Sequence, residues 1–177
     1  MKIVFFLLVL QSVGVLGQKF KSNQSNITFY SKATLEDIKA ENTQAVSLLD
    51  IGSWSIVFSV PISKFEFKES LMKEHFNEKY LESEKFPSAT FKGTISSCSL
   101  TDSHEQAVLV KGKLTIHGVT QSVEVPGTLV VQGDAIRAKA KFIVVLQNYK
   151  VTIPKLLWKK IAEQVEVSVD FTYSKIK

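Results

Sequence analysis

One cysteine, four prolines and eight glycines in 177 residues each rule something out. Cys98 has no partner in the chain, so the fold must stand without an internal disulfide and without a cysteine-framed zinc site. Proline and glycine are too scarce for a collagen-like or low-complexity chain. Blocks of like charge are missing as well. Lys and Arg number 22 against 17 Asp and Glu, a formal net charge of +5, but the signs interleave, as in "KESLMKEHFNEKYLESEK". Without a run of about five like charges, the pattern is that of a solvated face rather than a stripe for nucleic acid.

Chemical motifs are equally sparse. HExxH, CxxC, GxSxG, the Walker loop and GxGxxG are all absent, so no catalytic residue, metal ligand or cofactor is assigned. The three histidines, His75, His104 and His117, do not cluster with carboxylates at metal-ligand spacing. Cys98 and His104 share the polar stretch "SSCSLTDSHEQ", which offers nothing to orient them as a nucleophilic pair and no cation to activate the thiol. His117 precedes Gly118 at a break in the alternation, which predicts a turn histidine on the wet side; a polar partner for a ligand head group is the other reading.

The longest apolar run stands at the start, where Lys2 is followed by "IVFFLLVL" and then by "QSVGVLG", with Val15 and Gly17 before the expected cut. Residues 1–17 read as a signal peptide, too short to span a bilayer as a helix of about 20 residues. Cleavage after Gly17 predicts an exported, soluble product, periplasmic or secreted, with no cysteine at the cut to accept a lipid. "NQS" at Asn23 and "NIT" at Asn26 match glycan acceptor sites in a host that uses them. With 45% apolar and 22% charged residues, residues 18–177 form one globular domain with a sizeable core.

Within that domain, period 2 dominates. Ile56, Phe58, Val60 and Ile62 share a face, and Pro61 marks a strand end or an unpaired N–H position. Ala89, Phe91, Gly93 and Ile95 share another, as do Val108, Val110, Gly112, Leu114 and Ile116. Val123 with Val125, the row Ile136 to Val144, and the row Val165 to Tyr173 repeat the pattern. Residues 68–84 break it. Met72, Phe76 and Tyr80 stand at i, i+4 and i+8, which predicts one or two short amphipathic helices. Seven or eight antiparallel strands with one dry face predict an all-β fold, either a closed up-and-down barrel or a sandwich. The small dry-face residues Ala89, Gly93, Gly112, Ala138 and Ala140 favour a barrel that keeps a cavity.

"HFNEKYLESEKFPSATFKG" at 75–93 and "VKGKLTIHGVTQSVEVP" at 110–126 resemble the YceI-like family of exported lipocalin-like proteins. "SNITFYSKA", "FSVPISKFEFKESLMKEHF" and the closing "VEVSVDFTY" stand in family order, so the resemblance covers essentially the whole chain after residue 17. It implies an eight-stranded antiparallel lipocalin-like barrel holding an isoprenoid or other long-chain amphiphile, and no defining catalytic residue. The expected partner is that lipid, with no nucleic acid and no stable membrane span after signal cleavage. An enzyme acting on a lipid-like substrate inside the same barrel is the alternative, and a polyanion-binding module stands behind it.

The dry-face residues expected to line the lumen are Phe58, Val60, Phe91, Leu114, Ile116, Phe142, Val167 and Phe171; ordinary core is the competing reading for each. Trp158, in "IPKLLWKKIAEQ", is a candidate cap for one end, with Lys155, Lys159 and Lys160 as candidates to attract an anionic head group.

Overall fold

The alternation is realised as strands almost throughout. The computed structural model describes residues 18–32, 37–96, 98–152 and 163–176. In chain order the strands are β1 (Lys19–Ser31), β2 (Ile38–Asn42), β3 (Val46–Asp50), β4 (Ser55–Pro61), β5 (Glu66–Phe67), β6 (Ser88–Ile95), β7 (Gln106–Ile116), β8 (Val119–Gln132), β9 (Ala135–Val145) and β10 (Gln164–Lys175). Eight of them, β1, β3, β4, β6, β7, β8, β9 and β10, pair antiparallel in a ring that closes where β10 meets β1. Closure leaves these strands without the bare edge an open sheet would expose. The barrel thus has the eight antiparallel strands that the family resemblance implies, where the alternation left seven or eight. β2 and β5 form a flap on the outer half of β1, which pairs with β3 through Lys19–Lys21 and with β2 through Ile27–Ser31.

One end of the barrel is solid. Phe20 faces Leu49 across β1 and β3, and Ile136 faces Tyr173 across β9 and β10; all four are buried. The Tyr173 hydroxyl lies 2.7 Å from Ser47 Oγ, which itself donates to the Val57 carbonyl at 2.8 Å. Tyr173 therefore donates to Ser47, and a polar residue of β3 is drawn inward to complete the chain. That requirement sets the register of β3. Ser47 is buried while Val46 and Leu48 on either side face outward.

At the other end, three connections meet. β4 leads through a 3-10 turn (Ile62–Lys64) and β5 to helix α1 (Ser70–His75), which continues as a π-helical turn (Phe76–Tyr80) before β6. These are the short helices expected near 68–84. β7 and β8 are joined by the two-residue turn His117-Gly118, with φ of +50° and +73°. Both central residues of a type I′ hairpin turn need φ > 0, and glycine adopts it without steric cost. A Cβ at Gly118 would also lie 2.5 Å from the Phe86 ring. β9 runs into a 3-10 turn (Leu146–Tyr149) that heads toward β10.

On the outer face, cations sit beside acids. Arg137 makes a two-pronged bond to Asp170, Lys111 pairs with Glu124, and Lys141 with Glu166. Arg137 holds the Asp170 carboxyl below its ordinary range by hydrogen bonding and charge. On these strands the alternating charges are thus cross-strand pairs.

Candidate functional site

Between the solid end and the three connections lies a cavity of about 240 Å³. Its wall runs from Val108 to Ile116 on β7, from Ala138 to Val144 on β9 and from Val165 to Val169 on β10. The β7 span covers eight residue steps (116 − 108), roughly 26 Å of strand at about 3.3 Å per residue. A strand tilt of roughly 40° makes the lumen roughly 20 Å deep. Small side chains help to create it. Ala89, Ala138 and Ala140 line the cavity, as expected. Gly93 and Gly112 do not: they pair across β6 and β7, and the tip of the Phe91 ring would lie 2.6 Å from a Cβ at either position. Their missing side chains make room for that ring rather than for a ligand.

Seven of the eight residues expected to line the lumen stand on the cavity wall. Phe58, Phe91, Leu114, Phe142 and Val167 are only partly buried despite facing inward, because the space before them is open. Phe171 is placed differently. It is 0% exposed, sits edge-on to Phe58 at 4.9 Å and stacks near Tyr173 at 6.1 Å. It belongs to the packed floor, not to the wall. Trp158, Lys155, Lys159 and Lys160 lie outside the described residues.

The mouth carries lining residues that the alternation did not reveal. Phe29 of β1, Phe65, Phe67 and Phe76 form a ring cluster with centroid separations of 5.0 to 5.7 Å, and all four line the cavity. Met72, Phe76, Tyr80 and Leu81 bring the helical segment over this end, and Leu146 and Val151 bring the β9–β10 connection. The i, i+4 spacing of Met72, Phe76 and Tyr80 was the local signal. The stacking of Phe76 on Phe29 was not visible from spacing. Burial pushes the Tyr80 and Tyr149 phenols above their ordinary range, so both stay neutral near pH 7.

Among the described residues few polar side chains reach the lumen, Ser31 and Tyr80 being the buried ones on its wall. Thr90 and Lys139 appear in the lining but are exposed to the outside, and Thr128 Oγ1 donates outward to Glu105 at 3.2 Å. None of the histidines lines the cavity. His104 is exposed beside Asp102, where a bond from the His104 backbone and one from its ring lower the Asp102 carboxyl. Burial pushes the Cys98 thiol up, away from the thiolate that a nucleophile needs. No group of three or more His, Cys, Asp or Glu suited to a metal occurs among the described residues.

His117 departs from the sequence expectation. It sits in the hairpin bend, but its side chain is 12% exposed rather than on the wet side. Glu82 Oε2 lies 2.6 Å from its Nε2, the Tyr149 carbonyl oxygen 3.3 Å from its Nδ1, and the Phe86 ring 4.6 Å from its centre. Its partners lie 35 and 32 residues away in sequence, which is why local pattern could not find them.

No curated protein sequence matches the chain. Among solved structures, a polyisoprenoid binding domain from Saccharophagus degradans implicated in plant cell wall breakdown is similar at a TM-score of 0.77 and 12% identity, covering 89% of this chain and 98% of that one. BcnA of Burkholderia cenocepacia is similar at 0.72 and 17%, covering 84% and 95%. A Campylobacter jejuni YceI protein reaches 0.55 and 16%, covering 76% and 81%. Each of these shares the barrel. The model of the YceI-like domain matches residues 18–173, nearly the whole extent of that barrel, and the chain belongs to the YceI-like family.

Proposed function

We propose that this protein is an exported carrier that holds a long-chain amphiphile, of the polyisoprenoid class, in its lumen and catalyses no reaction on it. The observation that carries this reading is a deep cavity whose described wall is almost wholly aliphatic and aromatic, with Ser31 and Tyr80 as its buried polar side chains. Such a wall rewards length. Each buried methylene contributes about 0.8 kcal/mol, while association costs roughly 4 to 15 kcal/mol. A chain of about a dozen buried carbons contributes roughly 10 kcal/mol, enough to bind without a strong polar contact. A short chain barely offsets the cost.

The family supports the same reading, since one structural neighbour is itself described as a polyisoprenoid binding domain. A head group would lie at the mouth. In sequence, Lys155, Trp158, Lys159 and Lys160 fall between the lining residues Val151 and Val165, which supports their role in receiving it.

Organic extraction of natively purified protein, followed by mass spectrometry, tests the proposal. A stoichiometric long-chain molecule is expected. Repeated recovery of lipid-free protein that also refuses an added polyisoprenoid refutes it.

A further inference from the structure

The lid over the cavity mouth, besides its apolar packing, is joined to the β7–β8 turn and the β9–β10 connection through one polar side chain, His117. Residues 70–86 carry Phe76, Tyr80 and Leu81 over the lumen and then Glu82 and Phe86 against His117. Four non-glycine residues among those described have a left-handed φ, a conformation such residues rarely adopt. Two of them, Glu82 and His117, face each other, and a third, Lys150, follows directly on Tyr149, whose carbonyl is the other partner of His117. Strain in three separate segments meets at one contact, and such strain persists only where neighbouring contacts enforce it.

The chemistry of that contact fixes its protonation. A backbone carbonyl only accepts, so Nδ1 must donate to Tyr149. An ionised carboxylate also only accepts, so Nε2 must donate to Glu82. Both bonds therefore need one proton more than a neutral imidazole beside a carboxylate provides, wherever along the Glu82–His117 bond that proton rests. A neutral ring turns a lone pair toward one of the two oxygens and loses that bond. Among the described residues, the ionisable groups adjacent in sequence to the contact are Glu84 and Lys85 on the lid, with Lys85 Nζ 5.0 Å from the Phe86 ring centre, and Tyr149 and Lys150 on the β9–β10 connection. The β7–β8 turn adds none besides His117.

We infer that His117, in its protonated state, is the positioning residue that latches residues 70–86 over the lumen, and that loss of the proton as pH rises frees the lid and speeds exchange of the bound lipid. The sign follows from linkage: the latched state binds the extra proton, so acid favours closure and alkali favours opening. Imidazole is the side chain whose ordinary charge change falls between pH 5 and 8. The inference rests on the carrier reading for its consequence but not for the latch itself.

The test uses release of N-phenyl-1-naphthylamine, an apolar fluorophore uncharged from pH 5 to 8, followed by stopped flow. Release from the unaltered protein should quicken about tenfold across that range, as expected for loss of one hydrogen bond of ordinary strength. His117→Asn, chosen because asparagine tolerates a left-handed φ, should release fast at every pH. Glu82→Gln, whose amide can donate to the ring's lone pair or accept from its N–H, should hold the lid at every pH, and both should flatten the profile. His75→Gln and His104→Asn should keep the original profile. Amide hydrogen exchange of lipid-free protein, compared at one pH, should show residues 70–86 losing protection in His117→Asn while β9 and β10 keep theirs. If no fluorophore binds, the carrier reading fails and exchange alone decides the latch. Unchanged lid protection in His117→Asn, or a pH profile that survives Glu82→Gln, overturns the inference.

Discussion

Ala140→Phe separates a cavity from a core. Ala140 stands on the β9 wall between Gly127 and Val169, one inward position above Ala138, which faces the floor residue Phe171. A void of roughly 150 Å³ accommodates a benzene ring, so a phenyl group at this position consumes more than half of a cavity of about 240 Å³. Filling space that is already open costs no repacking, and burying the ring contributes roughly 1.5 to 3 kcal/mol. For a domain of this size that raises the melting temperature by roughly 3 to 12 °C. The effect on the ligand has the opposite sign. Displacing about six of a dozen buried carbons removes roughly 5 kcal/mol, more than a thousandfold in affinity. Differential scanning calorimetry and titration with a polyisoprenoid alcohol read the two effects on one sample. A destabilised variant would mean that position 140 is tightly packed, and a stable variant with undiminished affinity would mean that the lipid sits elsewhere. Either result refutes the reasoning.

Phe171→Leu, by contrast, removes about three carbons from the floor and should cost roughly 2 kcal/mol, with chemical denaturation showing the loss and lipid retention unchanged. Burial drives the Tyr173 phenol well above its ordinary range. The unfolded chain gives up this proton near pH 10 while the folded barrel keeps it, so stability is full below pH 10 and falls above it by about 1.4 kcal/mol per pH unit for each such phenol. Urea midpoints between pH 9 and 11 should show a shallower fall in Tyr173→Phe, although that variant starts about 1 kcal/mol lower for want of the Ser47 bond. Gly118→Ala should lose roughly 1 to 3 kcal/mol, since φ is +73° and the new Cβ meets Phe86, with circular dichroism melts as the check.

Period 2 made the inward faces legible because every barrel strand has one wet and one dry side. The rows on β4, β6, β7, β9 and β10 all stand as read. Depth along the barrel was not legible. Phe142 and Phe171 occupy equivalent positions in two alternating runs, yet one borders open space and the other is locked against Phe58. Alternation encodes side and says nothing of level. The register of β3 escaped for another reason: Ser47 is inside to bond Tyr173 and Val57, a demand set 126 residues away. The His117 contact and the Phe29–Phe76 stack are likewise long-range meetings of segments whose local sequences carry no mark of one another.

Ring closure has a consequence in time. Phe20 pairs with Lys175, so the seam joins partners 155 positions apart (175 − 20). Contacts of such separation are slow to form, and until β10 is complete the sheet has two unpaired margins and no inside. A chain emerging with its N-terminus first therefore presents β1 with its β10 side open during all of its synthesis. The lumen exists only from the moment the last strand docks. On the carrier reading, the lipid is loaded into a finished barrel, through the mouth, after the seam has closed.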